Sequence, residues 1–181
     1  MKALDILIEE HAVIRQFLDT LHMAIERLEQ GERPPADFFR EAVDFARTYT
    51  DKLHHYKEEY IMFTKLAQKR EGEIDAYIEA LRGQHERGRN YLAEISNALD
   101  GYEKGHEIQT LDLLENAAAY LSLLRHHIHR EDHLFYPMVK EAFTDSEKET
   151  ILELFRQELE KEGAISTEEA RERLRRLSSL L

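Results

Sequence analysis

Apolar residues return at alternating steps of three and four along most of the chain, as they do in helices that bury a single stripe. The first run reads Leu4, Leu7, His11, Ile14, Leu18, Leu21, Ile25 and Leu28. It predicts a helix from about Leu4 to Glu29, stopped at Gln30-Gly31-Glu32-Arg33-Pro34-Pro35. A second helix starts after the proline pair, where Pro suits the first turn, and runs to about Arg70. Its stripe is less regular: Phe45, Thr48, Lys52, His55, Glu59, Met62 and Leu66. Gly72 separates it from a third helix, about Glu73 to Glu103, with Gly101 and Gly105 bracketing the end. The third stripe is Ile74, Ile78, Leu81, His85, Gly88, Leu92, Ile95, Leu99 and Tyr102. The fourth helix, about Ile108 to Phe143, carries Leu113, Ala117, Tyr120, Leu124, His127, Glu131, Leu134 and Met138. Pro137 lies within it, removes a backbone donor, and predicts a kink or an end to the regular helix there.

Thr144-x-x-Glu147 and Ser166-x-x-Glu169 have the capping-box pattern and predict two further helices. Gly163 should stop the fifth, and the sixth shows Ala170, Leu174, Leu177 and Leu181 on one face. The expected fold class is all-α: an up-down-up-down four-helix bundle over residues 1–143, with a helical extension over residues 144–181 packing on it.

Each stripe of the bundle is interrupted by His or by a His–Glu pair, and the interruptions share a level. Residues equally far from a common turn lie at the same height in an up-down bundle. His11 is 19 residues before Gln30, and His55 is 20 after Pro35. His55 and Glu59 are 15 and 11 before Arg70, while His85 is 13 after Gly72. His85 is 18 before Glu103, while His127 and Glu131 are 19 and 23 after Ile108. At ~1.5 Å per residue these differences amount to a turn or less. The spacing predicts that His11, His55, Glu59, His85, His127 and Glu131 converge on one layer. Two buried carboxylates without a cation would cost several kcal/mol or become neutral. A metal accounts for all six, whereas a metal-free His–Glu network would have to recruit every helix at one height. Imidazole with carboxylate suits Fe, Mn or Zn over Mg or Ca. Four imidazoles with two bridging carboxylates fit two ions joined by an oxo or hydroxo oxygen, with one position per octahedral ion left open.

The remaining histidines are expected outside this layer. His54 and His126 lie about 100° off the stripe and His129 and His133 roughly opposite it, while His106 falls in a turn. Glu58 is expected in solvent and Tyr120 in packing, and no spacing selects a fifth imidazole from His22 or elsewhere.

Charge and composition narrow the partners. The formal net charge of −12 disfavours nucleic acid and anionic membrane surfaces. There is no Cys, which excludes disulfides, thiolate ligands and iron–sulfur clusters built by this chain. With no run of about 20 apolar residues and no apolar segment near the start, a cytoplasmic protein is the simplest expectation.

Two segments carry a family resemblance. His54-His55-Tyr56-Lys57-Glu58-Glu59-Tyr60-Ile61-Met62-Phe63 and His126-His127-Ile128-His129-Arg130-Glu131-Asp132-His133-Leu134-Phe135-Tyr136-Pro137 resemble the two halves of the hemerythrin/HHE cation-binding motif, H-x-x-x-E before an apolar end. Glu10-His11 and Gln84-His85 look like its other two positions. The resemblance covers about Leu4 to Phe143 and implies iron ligands at His11, His55, His85 and His127, with bridging carboxylates at Glu59 and Glu131. Oxygen carriers of the family place two histidines four apart on the third helix, whereas here Arg89 stands four residues after His85 and Leu81 four before it, so the resemblance is to a six-ligand branch. It implies a non-haem diiron protein that binds O2, NO or a related small oxidant, in sensing, storage or stress response. Two other readings use the same residues: a diiron oxidase or peroxidase taking peroxide, and an interaction module with a structural metal. In the last, the C-terminal helices would meet a protein partner or a second copy.

Overall fold

Uninterrupted stripes give long helices, and the breakers between them give short turns. The computed structural model describes residues 1–69, 72–161 and 164–181, and these are helical with turns between the helices. The first arm of the bundle is α1 (Lys2–Glu29), which ends where Gly31 adopts a left-handed φ of 82°. The second is one continuous rod: α2 (Ala36–Phe45), two wide-turned π-helical segments π1 (Ala46–His55) and π2 (Lys57–Met62), then α3 (Phe63–Ala67). The third is α4 (Gly72–Glu103), followed by Gly105 with a φ of 82°. The fourth is α5 (Glu107–Arg130), a π turn π3 (Glu131–Phe135) and α6 (Tyr136–Ala142). Two more helices, α7 (Asp145–Leu159) and α8 (Thr167–Ser178), follow. Both expected capping boxes are formed, with Thr144 paired to Glu147 and Ser166 to Glu169. The expected end of the second helix at Arg70 and the stop at Gly163 lie outside the described residues.

In α1 and α4 every stripe position is buried. In the second and fourth arms the stripe shifts where the helix widens. A π-helix bonds each residue to the fifth rather than the fourth, so every turn takes about one residue more than an α-helix. Lys52 is exposed and Thr48 half-buried, whereas Tyr49, Leu53, His54, Lys57, Glu58 and Met62 are buried. In the fourth arm Leu134 is 48% exposed, and Phe135 and Val139 take its place in the core. Pro137 sits in the first turn of α6, just after the π turn, where its missing N–H is least disruptive.

The apolar core has two parts. One holds Phe17, Phe39, Phe45, Tyr102 and Tyr120. The other holds Leu7, Met62, Phe63, Phe135 and Phe155. The polar residues His11, His54, His55, Glu58, His85, His127 and Glu131 are also buried and belong to neither cluster. The C-terminal helices bury Ile151 and Phe155 in the second part and Ala170, Leu174 and Leu177 in the first. No described helix is long and apolar enough to cross a membrane.

Phe155 is fully buried against the π-helical segment that carries Lys57. Phe155→Ala should destabilise the protein by about 3–5 kcal/mol. A lower urea midpoint at unchanged m-value checks this; Tyr60→Ala, at a 63% exposed position, should leave the midpoint nearly unchanged.

Candidate metal centre

Four helical arms deliver five imidazoles and two carboxylates to one buried layer. His11 comes from α1, His54 and His55 from π1, Glu58 from π2, His85 from α4, His127 from α5 and Glu131 from π3. They form two groups of four that share a carboxylate. His55, Glu58, His85 and His127 make one group, and His11, His54, Glu58 and Glu131 the other, with ligand atoms in each within 4.8 Å of one another. Glu131 also spans the two groups, with Oε1 3.1 Å from His127 Nε2 and Oε2 3.2 Å from His11 Nε2.

Five of the six residues expected from the spacing are here: His11, His55, His85, His127 and Glu131. Glu59 is not in either group. It is half-buried, accepts from His85 Nδ1 at 2.6 Å and pairs with Arg89 at 2.7 Å. Glu58 stands in the layer in its place, and His54 joins as a fifth imidazole. The cause is the wide turn of the second arm. An α-helical register faces only one of two adjacent residues inward, whereas the π segments bury His54 and His55 together and turn Glu58 inward. The sequence held two signals of this shift. His54/Glu58 and His55/Glu59 are overlapping copies of H-x-x-x-E, and an α-helical stripe required Lys52 in the core. His106, His126, His129 and His133 are exposed, and His22 pairs with Glu26 at 3.6 Å away from the layer.

Every imidazole of the layer has an acceptor on Nδ1. His11 faces Asp132 at 2.8 Å, His54 faces Glu10 at 2.9 Å and His55 faces Asp51 at 3.3 Å. His85 faces Glu59 at 2.6 Å and His127 faces the Gln84 side-chain oxygen at 2.8 Å. An Nδ1–H donating outward leaves Nε2 as a bare lone pair pointing inward, the form that binds a metal. Glu10 and Gln84, each preceding a layer histidine in the chain, serve the histidine of a different arm. Behind these acceptors stand cations: Lys57 on Glu10, Arg15 on Asp132, and Arg89 on both Asp51 and Glu59.

Inward, the polar atoms lack partners of the right kind. His54 Nε2, His55 Nε2, Glu58 Oε2 and both Glu131 oxygens are buried without hydrogen bonds. His85 Nε2 and His127 Nε2 lie 3.0 Å apart, two acceptors facing each other once their protons sit on Nδ1. Lone pairs collected this way fit divalent cations and little else.

The electrostatics agree. Burial pushes His54, His55 and His85 below the usual imidazole range, with neighbouring imidazoles adding to the effect, so they stay neutral as ligands must. Burial and the Glu131 charge beside it drive Glu58 well above the carboxylate range, while His127 and His11 overcome burial and pull Glu131 down. One carboxylate is ionised and the other is forced towards neutrality, the state that a cation between them would relieve. Burial works against His11, but Asp132 and Glu131 hold it above the usual imidazole range. Burial and the nearby Glu58 and Glu131 carboxyls push the Tyr136 phenol well above its ordinary range.

Residues 2–139 match the model of the hemerythrin HHE cation binding domain family. The chain is also 27% identical over 152 residues to uncharacterized proteins of Mycobacterium bovis and of two Mycobacterium tuberculosis strains, over 84% of its own length. It spans 59% of the length of these curated relatives. No solved structure matches it.

Two outcomes test the layer. Glu58→Ala should lose at least one of two metal ions per chain, whereas Glu59→Ala should keep the stoichiometry and weaken affinity about 10–100-fold. Metal titration by calorimetry distinguishes them, and the reverse result would restore the α-helical register.

Proposed function

This chain belongs to the hemerythrin HHE cation binding domain family, and we propose that it is a non-haem diiron protein that takes up O2, NO or a related small oxidant. Its residues bind cations, and the unequal division of donors between the two halves of the layer is the observation that carries the finer reading. His55, His85 and His127 would hold one ion and His11 and His54 the other, with Glu58 and Glu131 placed between the two groups. That is five protein donors on one side and four on the other. Any further group shared between the ions adds equally to both, so the His11–His54 side stays one donor short. Four or five filled positions on an ion that favours six leave room for a small molecule there.

Bound in this layer, a pair of iron ions supplies reversible one-electron chemistry and an exchangeable coordination position. The protein's part is to hold and shield. Asp132 and Glu10 fix the His11 and His54 rings through Nδ1 and raise their basicity. The aromatic and aliphatic clusters keep bulk water out, which strengthens charge interactions within the layer. A mixed imidazole–carboxylate set also accepts Mn or Zn; the family resemblance supports iron. The uptake of a small oxidant by a chain of this kind fits sensing, storage or stress response.

Metal analysis of protein purified without a histidine tag, with an absorption spectrum in air, tests the proposal. About two Fe per chain with near-ultraviolet bands, and a spectral change when NO meets the reduced protein, are the expected results. An absence of stoichiometric metal after anaerobic ferrous reconstitution would overturn it.

A further inference from the structure

Among the described residues of the layer, Tyr136 turns a hydroxyl inward, and both of its partners, Glu58 and His11, belong to the His11–His54 group. Tyr136 is 2% exposed and lies in the first turn of α6. Its hydroxyl donates to Glu58 Oε1 at 2.7 Å and comes within 3.4 Å of His11 Nε2. The ring lies parallel to the His11 imidazole, 5.5 Å between centroids and 6° from coplanar. Nine residues after His127, Tyr136 would point about 180° away from it in a regular α-helix. The widened turn Glu131–Phe135, just before Pro137, brings it round to the interior.

The surroundings decide what this hydroxyl can do. The inward atoms of the five imidazoles are Nε2 lone pairs, and the carboxylate oxygens of Glu58 and Glu131 also accept. A small anionic or electron-rich molecule entering this layer therefore meets acceptors everywhere except at Tyr136. Because the phenol oxygen is 3.4 Å from His11 Nε2, an atom placed beside that nitrogen on the same ion lies within hydrogen-bond reach of the O–H. The phenol carries a single proton, which can swing from Glu58 to the newcomer while Glu58 remains shared between the ions.

We propose that Tyr136 is the hydrogen-bond donor that recognises a small acceptor-bearing ligand, of the azide or peroxide class, on the His11–His54 side of the layer. This rests on the diiron reading and adds selectivity to it. Ligands that accept a hydrogen bond at or next to their bound atom are retained, and those that accept none are not favoured. Tyr136 is a positioning residue for the exogenous ligand.

The test uses the iron-loaded full chain and azide. Its infrared stretch should shift between H2O and D2O in the native protein and lose that shift in Tyr136→Phe. Azide affinity in the variant should fall about tenfold or more, with iron still at two per chain. Loss of packing alone would not remove an isotope shift. Site-specific 3-fluorotyrosine at position 136 keeps the shape and makes the phenol a stronger donor, so azide should bind more tightly even if the Phe variant folds poorly. No isotope shift in the native protein, or a shift that survives in Tyr136→Phe, would overturn the proposal. So would a visible phenolate-to-iron band in the resting ferric protein, which would make Tyr136 a ligand. Failure of the diiron reading is separate, because it shows as missing iron before any azide is added.

Discussion

A dry layer filled with acceptors is the constraint on which the rest of this molecule depends. Five imidazole nitrogens and two carboxylates point into space closed by apolar clusters at either end, and nothing among the described residues supplies enough protons to satisfy them. Leaving such groups unpaired is among the more expensive arrangements a protein interior can hold. The surrounding structure makes the arrangement more demanding. Each Nδ1 proton is drawn outward by its own carboxylate or amide, so no imidazole can turn its donor towards its neighbour. The layer is thus organised around charge that must come from outside the chain.

The backbone is bent to the same end. In an α-helix two adjacent side chains point about 100° apart, and only one can join a shared centre. Widening the second arm lets His54 and His55 serve the two halves of the layer at once, while Glu58 takes a place between them. The fourth arm widens too, and the turn at Glu131–Phe135 places Glu131, Phe135 and Tyr136 together in the interior. Wide turns have poorer backbone geometry than α-helix and persist where side-chain interactions favour them.

The extent to which all this was legible follows from where the helix stays regular. The stripes of α1 and α4, and most of that of α5, can be read from Leu4 to His127 because a 3.6-residue repeat maps directly onto a face. Both capping boxes were legible for the same reason, since the bonding pattern is local. His11, His85 and His127 sit on those regular stretches. Glu59 was expected in the layer and Glu58 in solvent because no local residue preference marks a π-helix; the widening depends on what the interior accommodates. The roles of Glu10, Asp132 and Lys57 were invisible for another reason. They depend on which ring of a different arm each one meets, and a periodicity cannot supply that.

Lys57 has a further consequence. Its ammonium is fully buried, pairs with Glu10, and lies 5.9 Å from the centre of the Phe155 ring on α7. Glu10 in turn holds the Nδ1 of His54. A chain of three contacts therefore joins a helix outside the four-arm bundle to an imidazole of the buried layer. Detaching α7 would admit water to Lys57, loosen its hold on Glu10 and free the His54 ring to rotate. Linkage makes the relation reciprocal: whatever free energy α7 lends to metal binding, bound metal returns by holding α7 in place. Helix α7 and the centre are thus linked through Lys57 and Glu10, so a change in how α7 packs would also change the affinity for metal.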